Sequence, residues 1–265
     1  MKTARKLASP VSRFLCLLLS AGFLLLSGLP VSAAADDIPE LYVGDLVTFG
    51  TYPQTEEGTD QTPIQWQVLD VRENRALLLS SYGLDAQPFN TKWSEEVFWH
   101  NCTLRAWLND DFMNRAFTPE DQSAILLTDL VNDRSQGYSG YSRHHGEDTQ
   151  DKIFLLSYLE AHNYLGVVFW GFHDESNVRS RVTPTPYAKK AGAWSDYTFH
   201  TADGGRAGWW WLRSPGLIRG NASRVIWRGS LCNRKINTTD GCVRPSLWVD
   251  LSKASSLTLA IPAGE

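Results

Sequence analysis

Apolar and polar positions change period along the chain, and each change marks an element. In GDLVTFG (44–50) Val47 and Phe49 alternate with Leu46 and Thr48, which predicts a strand ending at Gly50 and stopped at Tyr52-Pro53. In PIQWQVLDV (63–71) Ile64, Trp66 and Val68 share one face, and Gln65 and Gln67 the other. RALLLSS (75–81) follows after a short polar turn, so the two segments predict a hairpin. The period then lengthens. Leu104, Trp107, Leu108 and Phe112 recur at three and four residues, giving a helix over 103–115 with one apolar face. TPED (118–121) starts another helix: Thr118 is the N-cap, Pro119 occupies the first position, and Glu120 and Asp121 meet the positive end of the dipole. That helix is expected to turn Ile125, Leu126 and Leu127 inward.

Residues 132–151 are polar and rich in Gly, Ser and charge, the pattern of a long surface loop. KIFLLS (152–157) predicts a short buried strand, and Ser157 with Glu160 forms a capping box for a helix to about Leu165. A second irregular stretch, 166–207, holds Pro184, Pro186 and a short helical piece at 187–191. Strands return at 209–213, 222–228 and 243–251. Strands, then helices, then strands predict an α+β fold and not a βαβ repeat. No linker or repeat divides 36–265, which is expected to be one domain.

The first 35 residues have a different character. Lys2, Arg5, Lys6 and Arg13 precede an apolar run, 14–29, and Ala33-Ala34-Ala35 offers a small-residue cleavage site. This is the pattern of a secretory signal peptide, which implies a secreted or cell-surface protein with no stable membrane insertion after cleavage. Cys16 lacks a lipobox context. The full chain has a formal charge of −4; removing the four basic residues of the leader leaves −8, which argues against a nucleic-acid partner. Cys102, Cys232 and Cys242 remain after cleavage. An odd count in an exported chain allows one bridge, and Cys232–Cys242 is the expected pair by proximity, with Cys102 a buried thiol. The alternative is three small buried thiols.

Catalytic patterns are weak. His144-His145 near Glu147 and Asp148, and His173 beside Asp174 and Glu175, lie in polar loops without the fixed spacing of a metal site. No G-x-S-x-G elbow appears, and Asp110-Asp111 fits a solvated helix face. No cofactor or metal is expected. Charge, by contrast, is concentrated. Between Arg213 and Arg244 stand seven basic residues, Arg213, Arg219, Arg224, Arg228, Arg234, Lys235 and Arg244, opposed only by Asp240. The pattern fits solvent-facing residues on strands, and equally a patch for an anionic or sugar-like partner.

Several motifs occur together and in order: GDLVTFGTYPQ (44–54), PIQWQVLD (63–70), LRAWLNDDF (104–112), FLLS (154–157), WWLRSPG (210–216) and VRPSLWVDL (243–251). They resemble an exported bacterial family known as domain of unknown function 6273, and through it, more remotely, C-type-lectin-like and formylglycine-generating-enzyme-like domains. The resemblance implies a C-type-lectin-like α+β domain with its N- and C-terminal strands in one sheet, two to three helices and long loops. Gln87-Pro88-Phe89 lacks the carboxylate of a calcium-dependent sugar loop. Within GWWWLRSPG (208–216), a strand puts Trp209 and Trp211 on one face and Trp210 on the other. The family pattern assigns Trp211, Arg213, Pro215, Arg244 and Trp248 to structure, with Arg213 anchoring the turn, and leaves Trp209 as the tryptophan expected to face outward.

These readings converge on a secreted, non-catalytic recognition module for a glycan, an anionic cell-wall polymer or a protein. The expected contact segment is 217–240: Trp227 as anchor, Arg219, Arg224, Arg228 and Arg234 as charge, Asn221 and Asn233 as amide donors, with Trp209 beside them. The competing reading is an extracellular enzyme, a hydrolase or a formylglycine-generating-enzyme-like oxidase. A buried set of titratable residues in a cleft would favour it.

Overall fold

The alternating segments pair as their patterns require. In a computed structural model describing residues 40–138, 144–169 and 177–260, strands Thr62–Arg72 and Arg75–Ser80 form the hairpin, with Arg72 opposite Arg75 across a two-residue turn. Glu73 in that turn has φ 53°, the left-handed geometry such tight turns use. Leu46–Tyr52 joins on one side and Ser246–Asp250 on the other. Thr258–Leu259 and Ile153–Phe154 complete a six-stranded antiparallel sheet. N- and C-terminal strands therefore lie side by side, as expected.

One face of this sheet carries the first helices. A continuous helical run, Thr103–Trp107, Leu108–Phe112 and Met113–Ala116, brings Phe112 and the following Phe117 against Tyr52, Phe49 and Trp66, with ring centroids 5.0–6.3 Å apart. Trp66 is fully buried and donates its indole N–H to the Phe49 carbonyl at 2.7 Å. Cys102 caps the run and is buried, which pushes its thiol up to about 12. Helix Pro119–Ala124 starts on the Thr118–Asp121 capping box, and Tyr158–Leu165 on Ser157–Glu160. A fourth helix covers Pro186–Lys190.

The fold is α+β and dominated by strands. A second, five-stranded sheet runs in the order Leu231–Lys235, Asn221–Val225, Trp210–Pro215, Cys242–Val243, Asp85–Ala86. Three local expectations change. Helix Pro119–Ala124 ends before residue 125, so Leu127 escapes its period and is 61 % exposed, while Ile125 is buried where it bridges to Val249. Part of the expected loop 132–151 is strand, Thr149–Asp151 pairing with Thr128–Leu130. The irregular stretch 166–207 contains one strand of a small hairpin, Ser195–His200, whose partner Arg206–Gly208 closes it. The leader 1–35 and the His173 group lie outside the described residues. Among the described residues no helix is long and apolar enough to cross a membrane.

Candidate functional site

The expected contact segment folds into a hairpin, and strand register decides which of its residues meet. Asn221 lies opposite Lys235, Ser223 opposite Asn233, Ala222 opposite Arg234 and Arg224 opposite Cys232. Cross-strand partners share a face, so Asn221, Asn233 and Lys235 stand on one side and Arg224 and Arg234 on the other. The amides of Asn221 and Asn233 bond to each other, Nδ2 to Oδ1, at 2.7 Å. Leu231–Lys235 is an edge strand, and its exposed Arg234 and Lys235 suit an edge that must not pair with another chain.

Two expected surface residues are core. Trp209 is 1 % exposed: Trp211 meets it edge-on at 4.8 Å, and a Cβ added at Gly241 would collide with its ring. Arg224 turns inward over the same ring, 4.6 Å from its centroid, and is 8 % exposed. Burial lowers the pKa of that guanidinium. The alternation of the three tryptophans holds, but both faces of the strand are covered, so neither face looks outward.

The remaining expected contacts separate to the two ends of the hairpin. Asn221 and Val225 are four residues apart, about 13 Å along a strand. At the Ile226–Ser230 turn, half-buried Trp227 stands edge-on to Trp194 at 4.9 Å, and Arg228 lies 4.9 Å from the Phe199 ring. At the other end an open groove of about 560 Å³ is lined by Trp93, Ile218, Arg219, Asn221, Lys235 and Asn237. Trp93 is 51 % exposed and Ile218 62 %. Gly220 has φ 74°, and a Cβ there would come within 2.5 Å of the Trp93 indole nitrogen. Glycine is what lets that ring approach the backbone so closely. Arg219 pairs with Glu96 at 2.6 Å, so the segment bearing Trp93 is tied to the groove from its other side. Sequence reasoning missed Trp93. Its signal was a single large ring in the polar stretch TKWSEE, 91–96, with no apolar period to bury it.

The residues assigned to structure are buried or partly so. Trp211 donates its indole N–H to the Gln87 carbonyl at 3.0 Å. Arg213 grips both Glu160 oxygens, the Leu155 carbonyl at 3.0 Å and the Asn132 amide oxygen at 3.1 Å. Pro215 accepts from the Ser223 hydroxyl at 2.8 Å. Trp248 is half-buried between Arg72 and Arg75, at 5.3 and 5.4 Å. Arg244 is 3 % exposed over the Trp210 ring.

The expected Cys232–Cys242 bridge does not form; Cys102, Cys232 and Cys242 are all free thiols. Nearness in sequence misled. Cys232 is on the edge strand and Cys242 on the far side of Trp210–Pro215, three strand steps away. At about 4.8 Å per step that is roughly 14 Å, twice what a disulfide spans. Burial pushes the Cys242 thiol up to about 12.

Titratable groups do cluster in the core around Tyr52. Tyr52 donates to the Asp85 carboxylate at 2.6 Å, and Arg115 donates to the Tyr52 oxygen at 3.2 Å. Burial raises both the Tyr52 and Asp85 pKa values. Yet Tyr52 is 0 % and Asp85 3 % exposed, so the pair is enclosed in the core and not presented in a cleft. Among the described residues no three His, Cys, Asp or Glu side chains could together hold a metal ion.

The family comparison matches the model for Domain of unknown function (DUF6273) over residues 73–251. The chain belongs to this family. The DUF6273 match takes in the helical run, both halves of the Trp93 groove and the Arg213 anchor; the motifs at 44–54 and 63–70 precede it. No curated protein and no solved structure matches the chain.

Proposed function

We propose that this DUF6273 protein is a secreted or surface-displayed, non-catalytic recognition module, and that it binds a glycan or an anionic cell-wall polymer in the Trp93 groove. The observation that carries the reading is an exposed indole packed close against Gly220, with Arg219, Lys235 and two asparagines around it. A rigid ring supplies area at little entropic cost, and the amides and cations supply directional donors to hydroxyls and acidic groups. An open groove suits an extended chain better than a small substrate. The finer fold reading, a C-type-lectin-like domain, rests on the paired terminal strands and the loop-borne site; fold analogy alone would not fix the function. Enclosure of Tyr52 and Asp85 in the core weighs against the enzyme reading.

A glycan and cell-wall-polymer array with the mature chain tests this proposal. Trp93→Ala is expected to weaken the bound polymer by about 1–3 kcal/mol, as loss of a central anchor does, with little change in the melting temperature. Trp227→Ala, at the other end of the hairpin, is expected to weaken it less. Unchanged binding by Trp93→Ala, or a larger loss from Trp227→Ala, would move the site to the Trp194–Trp227 end.

A further inference from the structure

A second cavity, of about 240 Å³, shares no residue with the Trp93 groove. Its walls include Arg179 and Arg244 and, among the described residues, one carboxylate, Asp203. Arg244 is 3 % exposed and donates through Nε to the Ser80 carbonyl at 2.8 Å. Its Nη1 is buried with no acceptor among the described residues, and so is the Ser81 hydroxyl, which lines the same cavity. Buried charges are ordinarily paired with carboxylates, because taking them from water otherwise costs several kcal/mol. Here the described residues supply a carbonyl and the Trp210 face, 5.0 Å from the guanidinium, and no acid among them pairs with it. Burial pulls this arginine down to about 9, which leaves it charged at neutral pH.

Asp203 does not fill that role. Burial raises its pKa, but the Thr201 hydroxyl, the Gly205 amide at 3.2 Å and the Thr183 hydroxyl at 3.1 Å outweigh burial and hold it below the usual range. All three donors converge on Oδ1, which is thereby engaged within the protein, while Oδ2 is left to accept from a ligand hydroxyl. Gln65 and Gln67, on the polar face of Thr62–Arg72, also line the cavity and can serve hydroxyl groups.

We propose that this cavity is a binding site for a small hydroxylated carboxylic acid of uronic-acid size, its carboxylate received by Arg244 and Arg179 and its hydroxyls by Gln65, Gln67 and Asp203. The guanidinium fork matches a planar carboxylate in a way a point charge does not. The volume falls below the roughly 300–1,000 Å³ of sites for larger ligands, so one ring fits and a polymer segment does not. This site stands apart from the groove, and its failure would leave the groove reading intact.

Isothermal titration of the mature chain at low salt, with galacturonate, glucuronate, gluconate, galactose and inorganic phosphate, tests the assignment. At least one of the three acids is expected to bind at least tenfold more tightly than galactose, which has comparable hydroxyls and no carboxylate. Arg179→Ala, an exposed position, is expected to weaken that acid about threefold to tenfold, and Arg244→Gln to abolish its binding. Trp93→Ala is expected to leave it unchanged. Should Arg244→Gln not fold, Arg179→Ala and Gln67→Ala carry the test. Heat from none of the acids, parity with galactose, phosphate bound as tightly as the best acid, or indifference to both Arg179→Ala and Gln67→Ala would each overturn the proposal.

Discussion

Arg213 and Arg244 are buried alike, each 3 % exposed, and both lie within the family match, yet their surroundings are opposite. Arg213 is saturated: a carboxylate on two nitrogens, two backbone carbonyls and an amide oxygen tie Trp210–Pro215 to helix Tyr158–Leu165 and the residues before it. Arg244 has one carbonyl, a tryptophan face and a cavity. Burial by itself therefore does not distinguish an arginine that holds the fold together from one available to a ligand. The count of acceptors does. A saturated guanidinium is committed to the fold, because releasing any partner leaves a buried charge or a buried carbonyl unpaired.

The largest test of that contrast is removal of the carboxylate. Glu160→Ala strands a buried Arg213 and also deletes the capping box on Ser157, so it is expected to destabilise by about 3–5 kcal/mol. Arg244→Met removes one hydrogen bond and a ring contact while filling similar volume, so it is expected to cost less than about 1.5 kcal/mol. Urea midpoints of the two variants check this. Similar losses would mean that Arg244 is as structural as Arg213.

Acid sharpens the same comparison. Burial opposes ionisation of Glu160, but Arg213 and the Ser157 amide outweigh it and set the carboxylate below its ordinary value of 4.5. A carboxylate depressed in the folded state contributes stability above its unfolded pKa, and that contribution disappears as pH falls through the folded value. The wild-type urea midpoint is therefore expected to fall as the pH is lowered below about 4.5, and to fall less in Glu160→Gln, which has no proton to take up. Parallel acid profiles for the two proteins would place the titrating group elsewhere.

What could be read from sequence follows the same division between local and distant partners. The hairpin of 62–80, the Thr118 and Ser157 caps and the alternation of Trp209 to Trp211 depend on residues within a few positions, and they were legible. The anchoring of Arg213 was legible in kind, since a Pro-Gly turn beside a buried arginine needs acceptors, but Glu160 was not named as its partner. Trp209, Arg224 and the cysteines failed for one reason: their surroundings come from strands and loops far along the chain. Gly241 covers Trp209, and two strands separate the one that bears Cys232 from the one that bears Cys242. The edge strand Leu231–Lys235 hid because its polar NRK sequence carries no apolar alternation. The Trp93 groove joins a polar loop to a turn more than a hundred residues later, and no local period encodes that meeting.

A third arginine gives the smallest expected effect and closes the series. Arg219 pairs with Glu96 at 2.6 Å, a contact as short as many buried ones, but its side chain is 40 % exposed and that of Glu96 76 %. Water screens such a pair, and ordering two long side chains offsets most of the attraction, so its net worth is about 0–1 kcal/mol. Arg219→Ala is accordingly expected to move the urea midpoint by no more than a surface substitution does. Its effect should appear in the groove. Loss of the cation and of the tie to the Trp93 segment is expected to weaken polymer binding at low salt, with the difference from wild type shrinking as salt rises and the screening length shortens. Measuring both quantities on one variant separates the two roles. A large stability loss with unchanged binding would make Arg219 a structural residue like Arg213. A binding loss that persists undiminished at high salt would assign its contribution to hydrogen bonds and packing, and not to charge.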